Sequence, residues 1–310
     1  MGSGAFSRKD AWLAALRPHT LPAAASPVVV GTGFAIHDGV FAVLPAVLAL
    51  VGAALIQIGT NLANDYYDAK KGVDTSAREG FTRVTHSGLI PAESVRNAMV
   101  GAFGGAMIIG VYLVWIGGIP ILVVGLVSIA AGVLYTGGPY PFGYYGLGDV
   151  FVFVFFGLIA VTGTYYVQII SMLQSPFPLW VPSGAIPTSV VIGSLPMAAL
   201  ITNILVVNNI RDIETDKAAN KRTLAVLLGY TGSRIEFIIL LLLAYSIPLY
   251  LYGTGYSFVV LLPLLTIPFA WNILRSILWS TEATILNDTL TKTGQLTAGY
   301  AVLFTLGLAL

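Results

Sequence analysis

The chain has 310 residues, of which 56% are hydrophobic and only 9% charged, and its mean hydropathy is +0.85. A soluble domain carries about 25% charged residues, so this composition leaves no room for a separate soluble domain and predicts one integral membrane domain over residues 1–310. The net charge of +1 says little about partners, and the lack of cysteine excludes disulfides, thiolate catalysis and Cys-ligated metals.

The apolar residues fall in long runs. Residues 41–60, 101–148 and 150–210 contain no Asp, Glu, Lys or Arg, and a bilayer core needs about 20 apolar residues as helix. The polar first ten residues are not followed by the small-residue cleavage pattern of a signal peptide. In chain order the expected spans are 21–37, 41–64, 94–116, 119–136, 150–171, 189–209, 233–252, 256–279 and 294–310, an all-α bundle of about nine transmembrane helices. Pairs such as Gly117-Gly118 and Gly137-Gly138 punctuate them. With this count all 15 Lys and Arg fall on one side, which the positive-inside bias makes the cytoplasmic side of the cell (inner) membrane. Of the acidic residues only Asp38 falls on the other side.

Two acidic clusters end spans on that basic side. In the first, Asn61, Asn64, Asp65 and Asp68 share one helical face, and Gly72 permits a turn that brings Asp74 back. In the second, Asn208, Asp212 and Asp216 share a face. Like charges at this spacing repel, and carboxylates near a membrane are costly unless paired. Hard oxygen donors without His or Cys suit Mg²⁺ or Ca²⁺ rather than zinc, and Mg²⁺ completes its shell with substrate phosphate oxygens. The two clusters therefore predict a metal-bridged diphosphate held by Asn64, Asp65, Asp68, Asn208, Asp212 and Asp216. Lys70, Lys71, Arg78 and Arg83 follow the first cluster, and Lys217, Lys221 and Arg222 follow the second. Of these, Lys70, Arg83, Lys217 and Arg222 are the candidate grips on the phosphates. The bland alternative is a pair of solvated loops, but two clusters of one pattern on one side weigh against it.

At these motifs the chain resembles the UbiA-type membrane prenyltransferases. Asn64, Asp65 and Asp68 match the superfamily's Asn-Asp-x-x-Asp motif, and Asp212 with Asp216 its Asp-x-x-x-Asp motif. Further segments resemble the naphthoate branch of menaquinone biosynthesis. They are Arg17-Pro18-His19-Thr20, Arg83-Val84-Thr85-His86-Ser87-Gly88, Tyr135-Thr136-Gly137-Gly138-Pro139, Asn208-Asn209-Ile210-Arg211-Asp212 and Lys221-Arg222-Thr223-Leu224-Ala225. His86 stands where many members carry Gln. The resemblance implies a nine-helix bundle, Mg²⁺ as cofactor, and prenyl transfer from a polyprenyl diphosphate to 1,4-dihydroxy-2-naphthoate with loss of diphosphate and CO₂. It makes Asp65, Asp68, Asp212 and Asp216 the catalytic carboxylates.

Other residues keep two readings. Arg17 holds an acceptor carboxylate or anchors the first span; His19 and His86 accept protons or are structural. Asn61 contacts the acceptor, ligates metal or bonds a neighbouring helix. Tyr66, Tyr67, Tyr135 and Tyr144 face a cation or belong to the interfacial aromatic belt. Within the superfamily, 4-hydroxybenzoate or homogentisate is the rival acceptor. The rival of another class is a cation-coupled transporter, whose ionisable groups would sit near the midplane in broken helices rather than at span ends.

Overall fold

The computed structural model describes residues 7–72, 83–173 and 177–310. Asp74 and Arg78, both singled out from the sequence, lie outside the described residues. Within them every regular element is helical. A short helix, α1 (Arg8–Leu16), leads through a 3₁₀ turn (Pro18–Thr20) into α2 (Leu21–His37). Then come α3 (Val43–Lys70), α4 (Ala92–Leu134) and α5 (Gly148–Leu173), the last with a π-helical stretch over Phe153–Ile159. The second half holds α6 (Thr188–Arg211), the short α7 (Ile213–Ala218), α8 (Leu224–Gly253), α9 (Phe258–Trp279) and α10 (Ala283–Ala309).

Among the described residues six helices are long and apolar enough to cross a membrane: α3, α4, α5, α6, α8 and α9. By length and composition alone six of the nine expected spans are recovered as separate helices, so the count of nine is not confirmed. The other expected spans correspond to α2, with 17 residues, to α10, and to the second arm of the 43-residue α4. That helix reverses at Gly118, whose φ of 66° and ψ of −152° lie outside the helical region. A β-carbon on Gly118 would sit 1.8 Å from the Pro178 carbonyl oxygen, so only glycine fits. The reversal is pinned from both sides, by Ile119 N–H on Pro178 O at 3.0 Å and by the Tyr166 hydroxyl on Gly117 O at 3.1 Å. Phe103 and Gly132, nearly equidistant in sequence from the reversal, lie against each other and against Gly59 and Thr60 of α3.

The centre of the bundle is α6. Of its apolar window 72% is buried, against 17–33% for the other five long helices, whose outer faces are left for lipid. Small residues let its neighbours approach closely. Gly157 of α5 meets Ala198, and Gly193 meets the Phe34 ring of α2. Across the bundle, the buried Tyr300 of α10 donates to Ala244 O of α8 at 2.7 Å. With α6 as axis, its C-terminal end and that of α3 converge, and both acidic clusters reach one cavity.

Candidate active site

The first cluster sits on the last two turns of α3. Its carboxylates do different work. Asp65 is 1% exposed and turns under the loop that follows, where its two oxygens accept the backbone N–H groups of Val84 (3.1 Å) and Thr85 (3.0 Å). Those bonds hold the loop that carries Arg83. Asp68, equally buried, gathers cations: Arg83 Nη2 lies at 3.1 Å and Lys221 Nζ at 3.8 Å from Oδ2, while the Tyr144 hydroxyl donates to Oδ1. Asn64 Oδ1 accepts from the Thr136 hydroxyl at 3.0 Å. Lys71 reaches across to donate to the carbonyls of Thr136 (2.6 Å) and Gly138 (3.1 Å). The Tyr144 ring lies between the two ammonium groups of Lys71 and Lys221, 5.3 and 4.6 Å from its centroid.

The second cluster does not lie on one continuous helix. α6 ends at Arg211, and Asp212 is the non-helical residue from which α7 starts. Arg211 forks onto both oxygens of Asp212 at 2.8 Å, and also reaches Asn208 Oδ1 and Asn287 Oδ1, each at 2.8 Å. After α7 the chain turns through Asn220, at a φ of 56°, and Lys221 N–H bonds back to Asp216 O at 2.8 Å. That return swings the Lys221 side chain, 7% exposed, into the cavity and leaves Arg222 outside.

The resulting polar cavity, of about 230 Å³, is walled by Asp68, Asp212 and Asp216 together with Arg17, Arg83 and Lys221. Asn61, Asn64, Asn208, His19 and Tyr135 line it too. Burial, then the nearby charges of Arg17 and Arg211, lower the His19 pKa to about 4, so its imidazole is neutral at physiological pH. Burial, opposed by the charge of Asp68 and helped to a smaller extent by that of Lys221, brings Lys71 below the ordinary lysine range. Burial, followed by the fields of Asp149, Asp216 and Asp68, raises the Tyr135 phenol, so it stays protonated. A second cavity of similar volume, almost entirely apolar, runs between α2, α3, α4 and α5. The two share Thr60, Tyr135, Val152 and Phe156, so the polar chamber adjoins the apolar one at these residues.

Of the residues singled out from the sequence, the structure leaves five outside the polar cavity. Asp65 is spent on the loop, Lys70 and His86 face outward, Lys217 pairs with Glu214 at 3.2 Å, and Arg222 is exposed. In place of Arg222 stands Lys221, which the sequence marks only as one basic residue among several. Gln57, Thr136 and Arg211 also serve the site. Thr136 and Arg211 fall within segments that carry the resemblance but are not singled out there, and Gln57 carries no motif-level signal, because its role depends on Thr20, far away in sequence. Among the described residues no three His, Asp or Glu side chains are grouped closely enough to cage an ion on their own. The donor set nevertheless suits Mg²⁺, which takes one or two carboxylates and fills its shell with phosphate and water. Asp68 on one wall and Asp212 and Asp216 on the other offer those oxygens.

The UbiA prenyltransferase family model matches residues 24–284. The chain is 38% identical over 235 residues to 1,4-dihydroxy-2-naphthoate octaprenyltransferase of Escherichia coli, covering 74% of this chain and 72% of that protein. It is 41% identical over 225 residues to the enzyme of that name from Mycobacterium leprae, covering 72% and 71%. UbiA prenyltransferase domain-containing protein 1 of Gallus gallus is 32% identical over 271 residues, covering 86% and 75%. Among solved structures, a UbiA homologue from Archaeoglobus fulgidus bound to DMAPP and Mg²⁺ shares the fold, with a TM-score of 0.61 at 16% identity over 94% of this chain and 98% of that one. The all-helical membrane architecture, the family match across most of the length and several relatives above 30% identity agree: the chain is an enzyme of the UbiA prenyltransferase family.

Proposed function

We propose that the protein transfers a polyprenyl group from polyprenyl diphosphate to 1,4-dihydroxy-2-naphthoate, with release of diphosphate and CO₂, at the cytoplasmic face of the cell membrane. The observation that carries this reading is the adjacency of the two cavities: a chamber walled by carboxylates and cations shares four lining residues with an apolar one. A prenyl diphosphate has one highly charged end and one apolar chain, and the two chambers match its two halves. Relatives named for the naphthoate supply the choice of acceptor.

In this reading Asp68, Asp212, Asp216, Asn64 and Asn208 would hold Mg²⁺, which when bound would supply positive charge against the leaving diphosphate. Arg83 and Lys221 face the same oxygens and offset the charge that builds as the carbon–oxygen bond breaks. Asp65 serves indirectly, by fixing the loop that carries Arg83. The apolar chamber keeps water from the electron-poor allylic carbon. Arg17, on the wall formed by the α1–α2 junction, pairs with the acceptor carboxylate, and the neutral His19 beside it adds no competing positive charge. The ring carbon then bonds to the prenyl carbon and its carboxylate leaves as CO₂. With purified protein, Mg²⁺ and a polyprenyl diphosphate, carboxyl-labelled naphthoate is expected to release label in step with diphosphate. Diphosphate release with 4-hydroxybenzoate but not with the naphthoate overturns the acceptor and leaves the family assignment standing.

A further inference from the structure

Where α1 meets α2, the polar cavity is walled by a small hydrogen-bond network whose directions are fixed by two backbone carbonyls. The Thr20 hydroxyl donates to Arg17 O at 2.9 Å, so its oxygen is left to accept. Asn61 Nδ2 donates to Leu16 O at 3.1 Å and to Thr20 Oγ1 at 2.9 Å. A carbonyl only accepts, so the Asn61 amide has one orientation, with Oδ1 toward Gln57. Gln57 must answer with its amino group, and Nε2 donates to Asn61 Oδ1 at 3.3 Å and to Thr20 Oγ1 at 3.1 Å. Both amide protons of Gln57 are then used. Its Oε1 is buried, without a hydrogen-bond partner, on a side chain that is 7% exposed and lines the cavity.

A buried amide oxygen with no donor costs about 1–3 kcal/mol. Here the network holds that oxygen rigidly and gives it no freedom to turn away. The reactants proposed above offer few groups that could satisfy it. An ionised diphosphate and an ionised carboxylate present only acceptors, and an isoprenoid chain presents neither donor nor acceptor. A hydroxyl on the aromatic ring does donate. We propose that Gln57 is a specificity-determining residue, whose Oε1 accepts the hydrogen bond of a ring hydroxyl of the aromatic acceptor. This rests on the acceptor being a hydroxylated aromatic, though not on its being the naphthoate. Because the same wall carries Arg17, the acceptor is gripped at two points: its carboxylate by a cation and its hydroxyl by a fixed oxygen.

The test compares the naphthoate with its two mono-O-methyl ethers, which lack one donor each. Wild-type enzyme is expected to prefer the free hydroxyl over one of the ethers by about 10- to 100-fold in kcat/KM, the equivalent of one buried acceptor left unpaired. Gln57→Met, similar in shape and without the amide, should lose that preference while the KM for polyprenyl diphosphate stays as in wild type. Gln57→Glu, held neutral by burial, keeps a carbonyl acceptor there and one donor toward Asn61 Oδ1, and should retain the preference. A purely structural role would weaken the variants toward both acceptors alike and leave the ratio unchanged. Retention of the wild-type ratio by Gln57→Met overturns the assignment; should that variant not fold, loss of the ratio in Gln57→Glu does so. If wild-type enzyme does not prenylate the naphthoate at all, the acceptor identity fails. The same ratio is then read with 4-hydroxybenzoate and its methyl ether, and an unchanged ratio there overturns the Gln57 role.

Discussion

Lys221 and Arg222 are neighbours with one formal charge each, yet only one of them serves the cavity. Asn220 takes the left-handed conformation, the Lys221 N–H closes back on Asp216 O, and the side chains that follow point to opposite sides. Lys221 then stands over the Tyr144 ring and beside Asp68, whereas Arg222 is exposed. A charged hydrogen bond is worth roughly 1.5–3 kcal/mol, so Lys221→Met should cut kcat/KM for polyprenyl diphosphate by about 10- to 100-fold. Arg222→Met should stay within about twofold of wild type. Equal losses in steady-state assays of the two variants would mean that the turn at Asn220 does not decide which cation faces the phosphates. The sequence could not separate this pair, since helical periodicity says nothing about a residue four positions past a helix end. The same limit hid the division between Asp65 and Asp68. Both fall on one face of α3 by spacing, and what separates them is a loop segment 19 and 20 residues beyond Asp65 that offers two amides to Asp65 alone.

At the scale of elements, the order of apolar segments was legible and so were most reversals, because Gly and Pro mark them. α4 shows both the strength and the limit of that reading. Gly117-Gly118 announces the break, but the identity of the segment that pins it, around Pro178, comes only from tertiary packing. Gly118→Ala would place a methyl group 1.8 Å from the Pro178 carbonyl oxygen at a φ of 66°. Strain and clash together should cost several kcal/mol, at least about 1–3 from the backbone conformation alone. Size-exclusion chromatography in detergent should show aggregated or lost protein, while Gly125→Ala, with open space around the added carbon, should run as wild type. A monodisperse, active Gly118→Ala enzyme would show that the two arms of α4 do not depend on this reversal. The second acidic cluster is the opposite lesson. Its Asn208, Asp212 and Asp216 spacing suggested one helix, yet the chain breaks at Asp212; the residues still reach one cavity, and the bonds Asp212 N–H to Asn208 O and Asp216 N–H to Asp212 O keep the four-residue spacing across the break.

For the whole molecule, charge distribution carried the most information. Sparse charges confined to alternate connections announce both a membrane protein and the end at which its chemistry lies. The structure places the ends of α3 and α6 and the loops 83–90 and 135–148 together at that end. The chain has no cysteine, so single ones can be introduced without background. Ser87 and Ser183, both exposed, lie in connections on opposite sides of the bundle by the span order. Ser87→Cys in vesicles of known orientation should be modified by a membrane-impermeant maleimide only from the cytoplasmic side, and Ser183→Cys only from the other. Labelling of both from one side would overturn the orientation and the placement of the site. Catalytic detail was less legible, because each site residue is shared between helices far apart in the sequence.

Asp68 also bears on how the protein is made. Its partners come from three later points of the chain: Arg83, then Tyr144, then Lys221. Membrane helices are delivered from the ribosome in order, N-terminal first. While α3 is already in the bilayer, the carboxylate has at most the first of these neighbours, and it keeps a costly charge near the lipid boundary until α7 has been synthesised and folded back. A nascent chain stalled before Lys221 would therefore present an under-compensated acid at the membrane surface. The carboxylate at the heart of the site thus acquires its full set of partners only once synthesis has passed Lys221, with three long helices still to follow.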